Sequence, residues 1–290
     1  FSGLVRLLHV PHFNVPLFSR AKFIATVHDL IYLKESRFSG SPLGGLYVKT
    51  LVRAIEKNAK AVIAVSDFTR RDLESAFPGT AGKTQVIHEA ASPGLIAAGA
   101  TGKSASERFG LQPGYVLFVG SLKAHKNLPV LLDALEALRK QNRAASQLVV
   151  VGRRDAKEAA LLKRREEGGS ARRYLGEQPD EALAALYRGA QVLVIPALWE
   201  GFGLTALEAM AFGTPVIASD RASLPEVVGD AGILFDPTRV DRLQEILYNV
   251  LNDKDLQNKL SAKGLERAKL FSWEKTARQT LALYEKVLSA

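Results

Sequence analysis

Apolar runs rich in β-branched residues alternate along this chain with longer amphipathic stretches, and the alternation predicts most of its elements. Phe23–Val27, Ala61–Val65 and Thr84–His88 read as strands, while Leu43–Lys57 and Phe68–Phe77 read as helices, the second capped by Ser66. From Tyr115 the rhythm becomes regular. Strands Val116–Val119, Leu148–Val151, Val192–Ile195, Val216–Ala218 and Ile233–Phe235 alternate with helices near Leu128–Gln141, Ala156–Glu167, Glu181–Tyr187, Leu204–Phe212 and Val240–Leu251. Short, wholly apolar strands separated by helix-length segments predict parallel sheets covered on both faces, an α/β fold. Between the two regions, Ser92–Ser104 is small, polar and turn-prone, and is the expected domain boundary. Leu256–Lys269 and Trp273–Leu288 read as two further amphipathic helices.

At 290 residues the chain exceeds one comfortable core and reads as two domains. Its 47% hydrophobic and 24% charged residues are those of a globular protein, not a disordered one. The net charge of +9 is uneven: residues 1–110 hold 14 Lys and Arg against 8 Asp and Glu, while residues 111–290 hold 25 against 22. A basic first part attracts anionic headgroups, nucleic acid or phosphorylated substrates, or is a plain solvated surface; charge alone does not choose. Basic residues are not interleaved with aromatics on one element, which argues against nucleic acid. Zero cysteines exclude disulfides, thiolate catalysis and cysteine metal sites. No apolar run approaches the roughly 20 residues of a spanning helix, and the first residues, broken by Arg6, His9, His12 and Asn14, lack a signal-peptide pattern. The expected location is the cytoplasm, with any membrane contact peripheral and at the inner face.

Candidate chemistry concentrates in Glu200-Gly-Phe-Gly-Leu-Thr-Ala-Leu-Glu208, which follows the apolar run Val192–Ala197 and opens a helix. Gly201 and Gly203 permit a tight turn, and the exposed amides at the helix start form an anion site. Carboxylates repel phosphate, so Glu200 and Glu208 must serve something neutral beside it. Sugar or ribose hydroxyls, which donate to ionised oxygens, meet that need, and the combination points to a sugar nucleotide. On spacing alone, a solvated Glu200 and an ordinary helix-surface Glu208 remain open.

Downstream come Ala209-Met-Ala-Phe-Gly213-Thr-Pro-Val-Ile-Ala-Ser219, Leu224-Pro-Glu-Val-Val-Gly229 and Gly232-Ile-Leu-Phe-Asp-Pro237, and upstream Val119-Gly-Ser-Leu-Lys-Ala-His-Lys-Asn127, Val27-His-Asp-Leu30 and Ala64–Leu73. In this order the segments resemble the family-4 retaining glycosyltransferases over nearly the whole chain. The resemblance implies a GT-B fold of two facing Rossmann-like domains: a partial acceptor-side domain over 1–105, a donor domain over 106–272, and a last helix, 273–290, crossing back to the first. It implies that Lys126 steadies the leaving diphosphate beside Gly120 and Ser121. Glu200 would hold donor-sugar hydroxyls and Glu208 the ribose, with amides and side chains from Gly201, Phe202, Gly203, Leu204 and Thr205 lining sugar and phosphate. His28 would hydrogen-bond the reacting sugar, and Asp29 would orient loop amides. Catalytic roles thus fall to His28, Lys126 and Glu200, with no metal and no cofactor. A nucleotide-sugar donor and a saccharide or lipid-linked acceptor are the expected partners, and mannosyl- or rhamnosyltransferases are the branch most like it.

Departures accompany the likeness. A cation common in the family is replaced by Ser121, for which His125 and Lys123 are the expected substitutes. Strands that precede the segment matching Phe1–Phe18 are absent, so an incomplete first domain, truncated before Phe1, is expected. His88-Glu89-Ala90 receives no role, and Gly152-Arg153 with Tyr174–Gly176 stand where relatives contact the base. Ala97–Ser104 imitates a phosphate loop but lacks its first glycine and a preceding strand; Asp253-Lys-Asp255 imitates a metal motif but reads as a helix cap; His9 and His12 are separated by a proline. An epimerase or hydrolase on the same fold, or a non-catalytic donor-binding module, are the alternatives.

Overall fold

Strand-period alternation places the two faces of the first sheet on different partners. The computed structural model describes residues 5–17, 21–34, 42–101, 103–141, 146–153 and 171–289; the helix expected near Ala156–Glu167 lies outside them. The chain divides into two units, the first comprising Phe1–Glu89, Glu200–Phe202 and Phe271–Ala290. Its elements are β1 (Leu7–Val10), β2 (Lys22–Val27), α1 (Ile31–Lys34), α2 (Pro42–Asn58), β3 (Ala61–Ala64), α3 (Asp67–Ala76) and β4 (Thr84–Val86). The strands pair in parallel in the order β1-β2-β3-β4. Phe23, Ala25 and Val27 of β2 bury against Val48, Leu51, Val52 and Ile55 of α2. Ile24, between them in sequence, turns to the other face and packs with Ala61, Ile63 and Ile87 under Leu283 and Val287 of the C-terminal helix. Burying both faces is what lets these strands be continuously apolar.

The second unit holds Ala90–Trp199 and Gly203–Leu270. It begins with α4 (Pro93–Thr101) and α5 (Ala105–Phe109), then β5 (Tyr115–Val119), α6 (Leu128–Lys140), β6 (Leu148–Val151), β7 (Arg172–Gly176), α7 (Asp180–Gly189) and β8 (Ala190–Ile195). There follow α8 (Leu204–Ala211), β9 (Val216–Ser219), α9 (Leu224–Val228), β10 (Ile233–Phe235), α10 (Val240–Asn252) and α11 (Lys254–Ala268), and α12 (Trp273–Ser289) returns to the first unit. Six parallel strands run β10-β9-β8-β5-β6-β7. Strand order therefore reverses between β5 and β8, the switch point at which open α/β sheets bind ligands.

Two expectations are corrected. The stretch read as a turn-prone linker is helical over Pro93–Thr101, and it opens the second unit, the leading segment of the first ending at Glu89. Pro93 suits a first helical position, the Ser92 hydroxyl accepts from the Leu95 amide at 3.4 Å, and Leu95 is buried. Small residues let α4 lie close to its neighbour, with Gly99 directly beneath the Phe212 ring. The second correction is β7, which was not anticipated. Its Arg172-Arg173-Tyr174 lacks the apolar signature because it pairs only on its β6 side among the described strands. Arg139 of α6 donates to the Ser146 and Ala171 carbonyls and so ties the approach to this edge.

Candidate functional site

Within the second unit, the loops leaving β5 and β8 flank the switch point. After β5 the Gly120 amide donates to the Val151 carbonyl at 2.9 Å, Ser121 follows half-buried, and the chain enters a short 3-10 turn at Ala124–Lys126. Asn127 ends that turn in the left-handed region and donates its Nδ2 to the Pro237 carbonyl at 3.0 Å. The Lys126 stem is thereby laid along Gly120, whose Cα faces Cδ and Cε of the lysine. The two loops are joined directly: the Leu198 amide donates to the His125 carbonyl at 2.7 Å.

After β8, Gly203 caps α8 with φ 110°, a conformation that penalises any residue with a Cβ. As a glycine it offers no side-chain acceptor to the first-turn amides, and no acid occupies that turn. The amides of Leu204 and Thr205 thus carry the helix's positive end with neither a side-chain cap from Gly203 nor a first-turn acid. Glu208 sits one turn further on, half-buried, with Oε2 accepting from the Tyr187 hydroxyl at 2.7 Å. Burial pushes its carboxyl above the usual range, and the tyrosine bond opposes that rise. Glu208 is therefore not an ordinary helix-surface acid, and Tyr187, at the end of α7, is a positioning partner that the sequence did not single out.

His125 does not supply the extra charge expected of it. Burial, followed by the like charges of Lys126 and Lys123, holds its pKa down to about 4, so it is neutral near pH 7. Beyond β6 and β7, a concavity of about 330 Å³ is lined by Gly152, Arg153, Tyr174, Gly176 and Glu177, and the Tyr174 hydroxyl donates to the Gly152 carbonyl. Gly152, Arg153, Tyr174 and Gly176 were expected on the base side of the nucleotide, and the fold brings them together at the carboxyl ends of adjacent strands.

The first unit assembles a second group. His28 immediately follows β2, with Nε2 3.0 Å from the Pro11 carbonyl and Nδ1 3.2 Å from Glu89 Oε1. Both ring nitrogens face acceptors, so the charged imidazolium is favoured: the Glu89 hydrogen bond raises its pKa, against the opposing effect of burial. Glu89 had no role from sequence. Its signal is positional, since it follows β4 at the carboxyl end of a sheet whose strands all point the same way. Asp29 accepts the Ile31 amide at 3.1 Å, the orienting bond expected of it.

Glu200, Gly201 and Phe202 group with this unit, whereas Glu208 belongs to the other, so the carboxylate pair is divided between units. A Cβ on Gly201 would stand 2.1 Å from the His28 carbonyl oxygen. The Gly201 carbonyl accepts from Ser66 Oγ at 2.7 Å and from Thr69 Oγ1 at 3.1 Å. Ser66 is the expected N-cap of α3, accepting from the Thr69 amide at 3.0 Å, and its proton serves the glycine loop at the same time. Phe202 stacks on His88 with ring centroids 5.8 Å apart and meets Phe271 edge-on. Glu200 itself is half-buried.

The remaining motifs resolve into structural parts. His9 Nε2 pairs with Thr26 Oγ1 at 2.8 Å and Nδ1 with the Tyr284 hydroxyl. Asp253 caps α11 through the Leu256 amide at 2.9 Å. Ser104 makes a capping box with Glu107 at the start of α5, and 97–101 are helical; Gly102 lies outside the described residues. No described helix is long and apolar enough to cross a membrane.

Comparison with known proteins adds a family to this geometry. A family model described as "Glycosyl transferases group 1" matches residues 102–267, and one described as "Glycosyltransferase Family 4" matches residues 5–93. The O-antigen chain mannosyltransferase B of Escherichia coli is 33% identical over 283 residues, covering 96% of this chain and 74% of that protein. The MMP alpha-(1->4)-mannosyltransferase of Mycolicibacterium hassiacum is 46% identical over 114 residues, 38% of this chain and 28% of that protein. Among solved structures, sucrose-phosphate synthase from Thermosynechococcus elongatus superposes with a TM-score of 0.80 at 25% identity, covering 98% of this chain and 74% of that one. Anabaena HepE in complex with UDP and glucose has a TM-score of 0.72 at 19% identity, covering 92% and 72%, and shares the fold.

Proposed function

This chain belongs to the group 1 glycosyltransferases, and we propose that it moves a hexose, mannose ahead of rhamnose, from a nucleoside-diphosphate sugar to a saccharide or lipid-linked saccharide with retention at the anomeric carbon. The observation that carries the reading is the start of α8, a glycine-capped helix end with no acid in its first turn, opposite the Lys126 loop at the switch point of one sheet. The preference for mannose is supported by the names of the two mannosyltransferase relatives.

In this reading the bond from the anomeric carbon to the diphosphate oxygen breaks, negative charge grows on the diphosphate, and Lys126 with the Leu204 and Thr205 amides receives it. The acceptor oxygen bonds to the same face of the anomeric carbon, and its proton passes to the departing phosphate oxygen. Glu208 accepts ribose hydroxyls, its orientation held by Tyr187. Glu200 and His28 serve the donor sugar, Glu200 as acceptor and His28 as a donor rather than a base, the N–H that faces the Pro11 carbonyl turning to the sugar. Positive charge from the lysine and the helix end makes a metal unnecessary. The reaction belongs to the cytoplasm, at the inner face of the membrane where a lipid-linked acceptor is used.

The test is calorimetric titration with GDP, UDP, ADP and TDP, with and without magnesium, on the protein and on Glu208→Ala. Metal-independent binding of one nucleotide, weakened roughly tenfold in the variant, is the expected result. Absence of binding by all four would overturn the donor site. Donor cleavage at full rate with no acceptor present would replace transfer by hydrolysis.

A further inference from the structure

The amino end of the first sheet carries a feature unrelated to the donor chemistry, which lies at carboxyl strand ends. Lys22 begins β2, Lys60 immediately precedes β3, and Lys83 immediately precedes β4. Because these strands are adjacent and parallel, with Ile24 level with Ala61 and Val62 level with Thr84, the three lysines form a row across one end of the sheet. Neighbouring strands lie about 4.8 Å apart, so the row is close-spaced. Lys286 of α12 adds a fourth cation, and all four line one cavity of about 630 Å³, within the range of small-molecule sites.

Among the described residues these charges meet carbonyls rather than carboxylates. Lys22 donates to the Val287 carbonyl at 3.2 Å, and Lys83 donates to the carbonyls of Ile55, Glu56 and Ala59. Carbonyls orient an ammonium group without cancelling it. Among the described residues, no carboxylate pairs with any of the four lysines, and none lines the cavity. Glu56, the acid whose charge acts on Lys83, turns Oε1 to the Gly79 amide at 2.8 Å. Arg70 also borders the space but is committed to Asp67 and Glu74. The floor is apolar, formed by Ala61, Val86, Leu283 and Val287.

We propose that this cavity is a second anion site, built to take a phosphate group joined to an apolar segment. Lys22, Lys60 and Lys286 hold the phosphate while Leu283 and Val287 receive the apolar part. Four ammonium groups with no carboxylate partner among the described residues repel one another until an anion joins them, and a phosphate with its several acceptor oxygens relieves that repulsion best. The apolar floor separates this ligand from a bare ion, because burying a chain there removes hydrocarbon from water. A soluble phosphate ester and a lipid headgroup share this chemistry.

The test compares the intact protein with Lys60→Gln/Lys286→Gln, two exposed lysines whose removal leaves the strand pairing untouched. Lys259→Gln/Lys275→Gln, exposed lysines elsewhere, makes the same change in net charge. The probes are inorganic phosphate, dihexanoyl phosphatidylglycerol below its micelle concentration, and vesicles of phosphatidylglycerol or of phosphatidylcholine alone. The expected result is that the short-chain lipid binds at least tenfold more tightly than inorganic phosphate, and that the cavity variant loses at least tenfold while the control loses less than twofold. Retention on phosphatidylglycerol vesicles but not phosphatidylcholine would identify a headgroup as the source; binding of the short-chain lipid without retention would identify a soluble ester. Equal weakening in both variants, or affinity for phosphate equal to that for the lipid, would overturn the site. Nucleotide titration on the same variants separates this outcome from the donor reading, since donor affinity is expected to be unchanged in both.

Discussion

The loops after β2 and β5 each carry a histidine beyond the carboxyl end of a parallel strand, and their surroundings drive them to opposite charge states. His28 is flanked by a carboxylate and a carbonyl, both acceptors, and its pKa is raised. His125 is buried beside two lysines and falls to about 4. Strand position therefore selects where a functional loop lies, while the acceptors brought by other elements decide what charge it carries. The signs of the linkage differ accordingly. The His28 contact contributes fully below its ordinary value of 6.5 and is lost as pH rises through its raised folded value; burial of neutral His125 favours the fold above 6.5 and costs stability as pH falls from 6.5 toward 4.

The harshest way to break the contrast is Gly201→Ala. Its Cβ would meet the His28 carbonyl at 2.1 Å, so the loop must move; we expect a loss of roughly 1–3 kcal/mol in urea unfolding and activity near background. Unchanged stability would mean that the loop does not depend on this approach. Next is Lys126→Ala, where kcat/KM should fall about 10²-fold while unfolding is nearly unaffected, as expected for a cation acting on the leaving group. A change in KM alone would assign the lysine to ground-state binding.

Glu89→Gln should make His28 resemble His125. Nuclear magnetic resonance titration is expected to show its pKa moving down, and the melting-temperature gap from the parent protein should be wider near about pH 5.5 than near about pH 9. A gap independent of pH would assign Glu89 a packing role. The smallest effect expected is from Lys123→Gln, which removes one of the two like charges near His125 and should raise its pKa slightly, with burial still dominant. A large rise would show that charge, not burial, sets that histidine.

Strands β2, β3, β5, β6, β8, β9 and β10 were legible in sequence because strands buried on both faces must be apolar throughout, and Val116–Val119 or Val192–Ile195 leave no other reading; β1, at Leu7–Val10, was not among those expected. Edge strand β7 was hidden for the converse reason: Arg173 is exposed at the edge, and Arg172, though its side chain is buried, is accommodated there by an ion pair with Glu136. Helix α4 was hidden by Gly94, Ala97, Ala98 and Gly99, residues that mark a linker by composition, although Gly99 here permits close packing against Phe212. The glycine turn at 201–203 was readable because its geometry tolerates few alternatives. Glu89 and Tyr187 were not, because each acts on a partner distant in sequence, His28 in one case and Glu208 in the other.

The helix that covers one face of the first sheet is encoded far from the strands it covers. Ile24, Ala61 and Ile63 emerge from the ribosome early, whereas Leu283 and Val287 appear more than two hundred residues after them. At roughly 5–20 residues per second, that interval is on the order of ten seconds or more. Throughout it the nascent sheet presents an uncovered apolar face, while the second unit, contiguous except for Glu200–Phe202, can close first. The order of synthesis and the order of completion are therefore reversed: the half that is translated first is the half that finishes last, and it is the natural client for a chaperone.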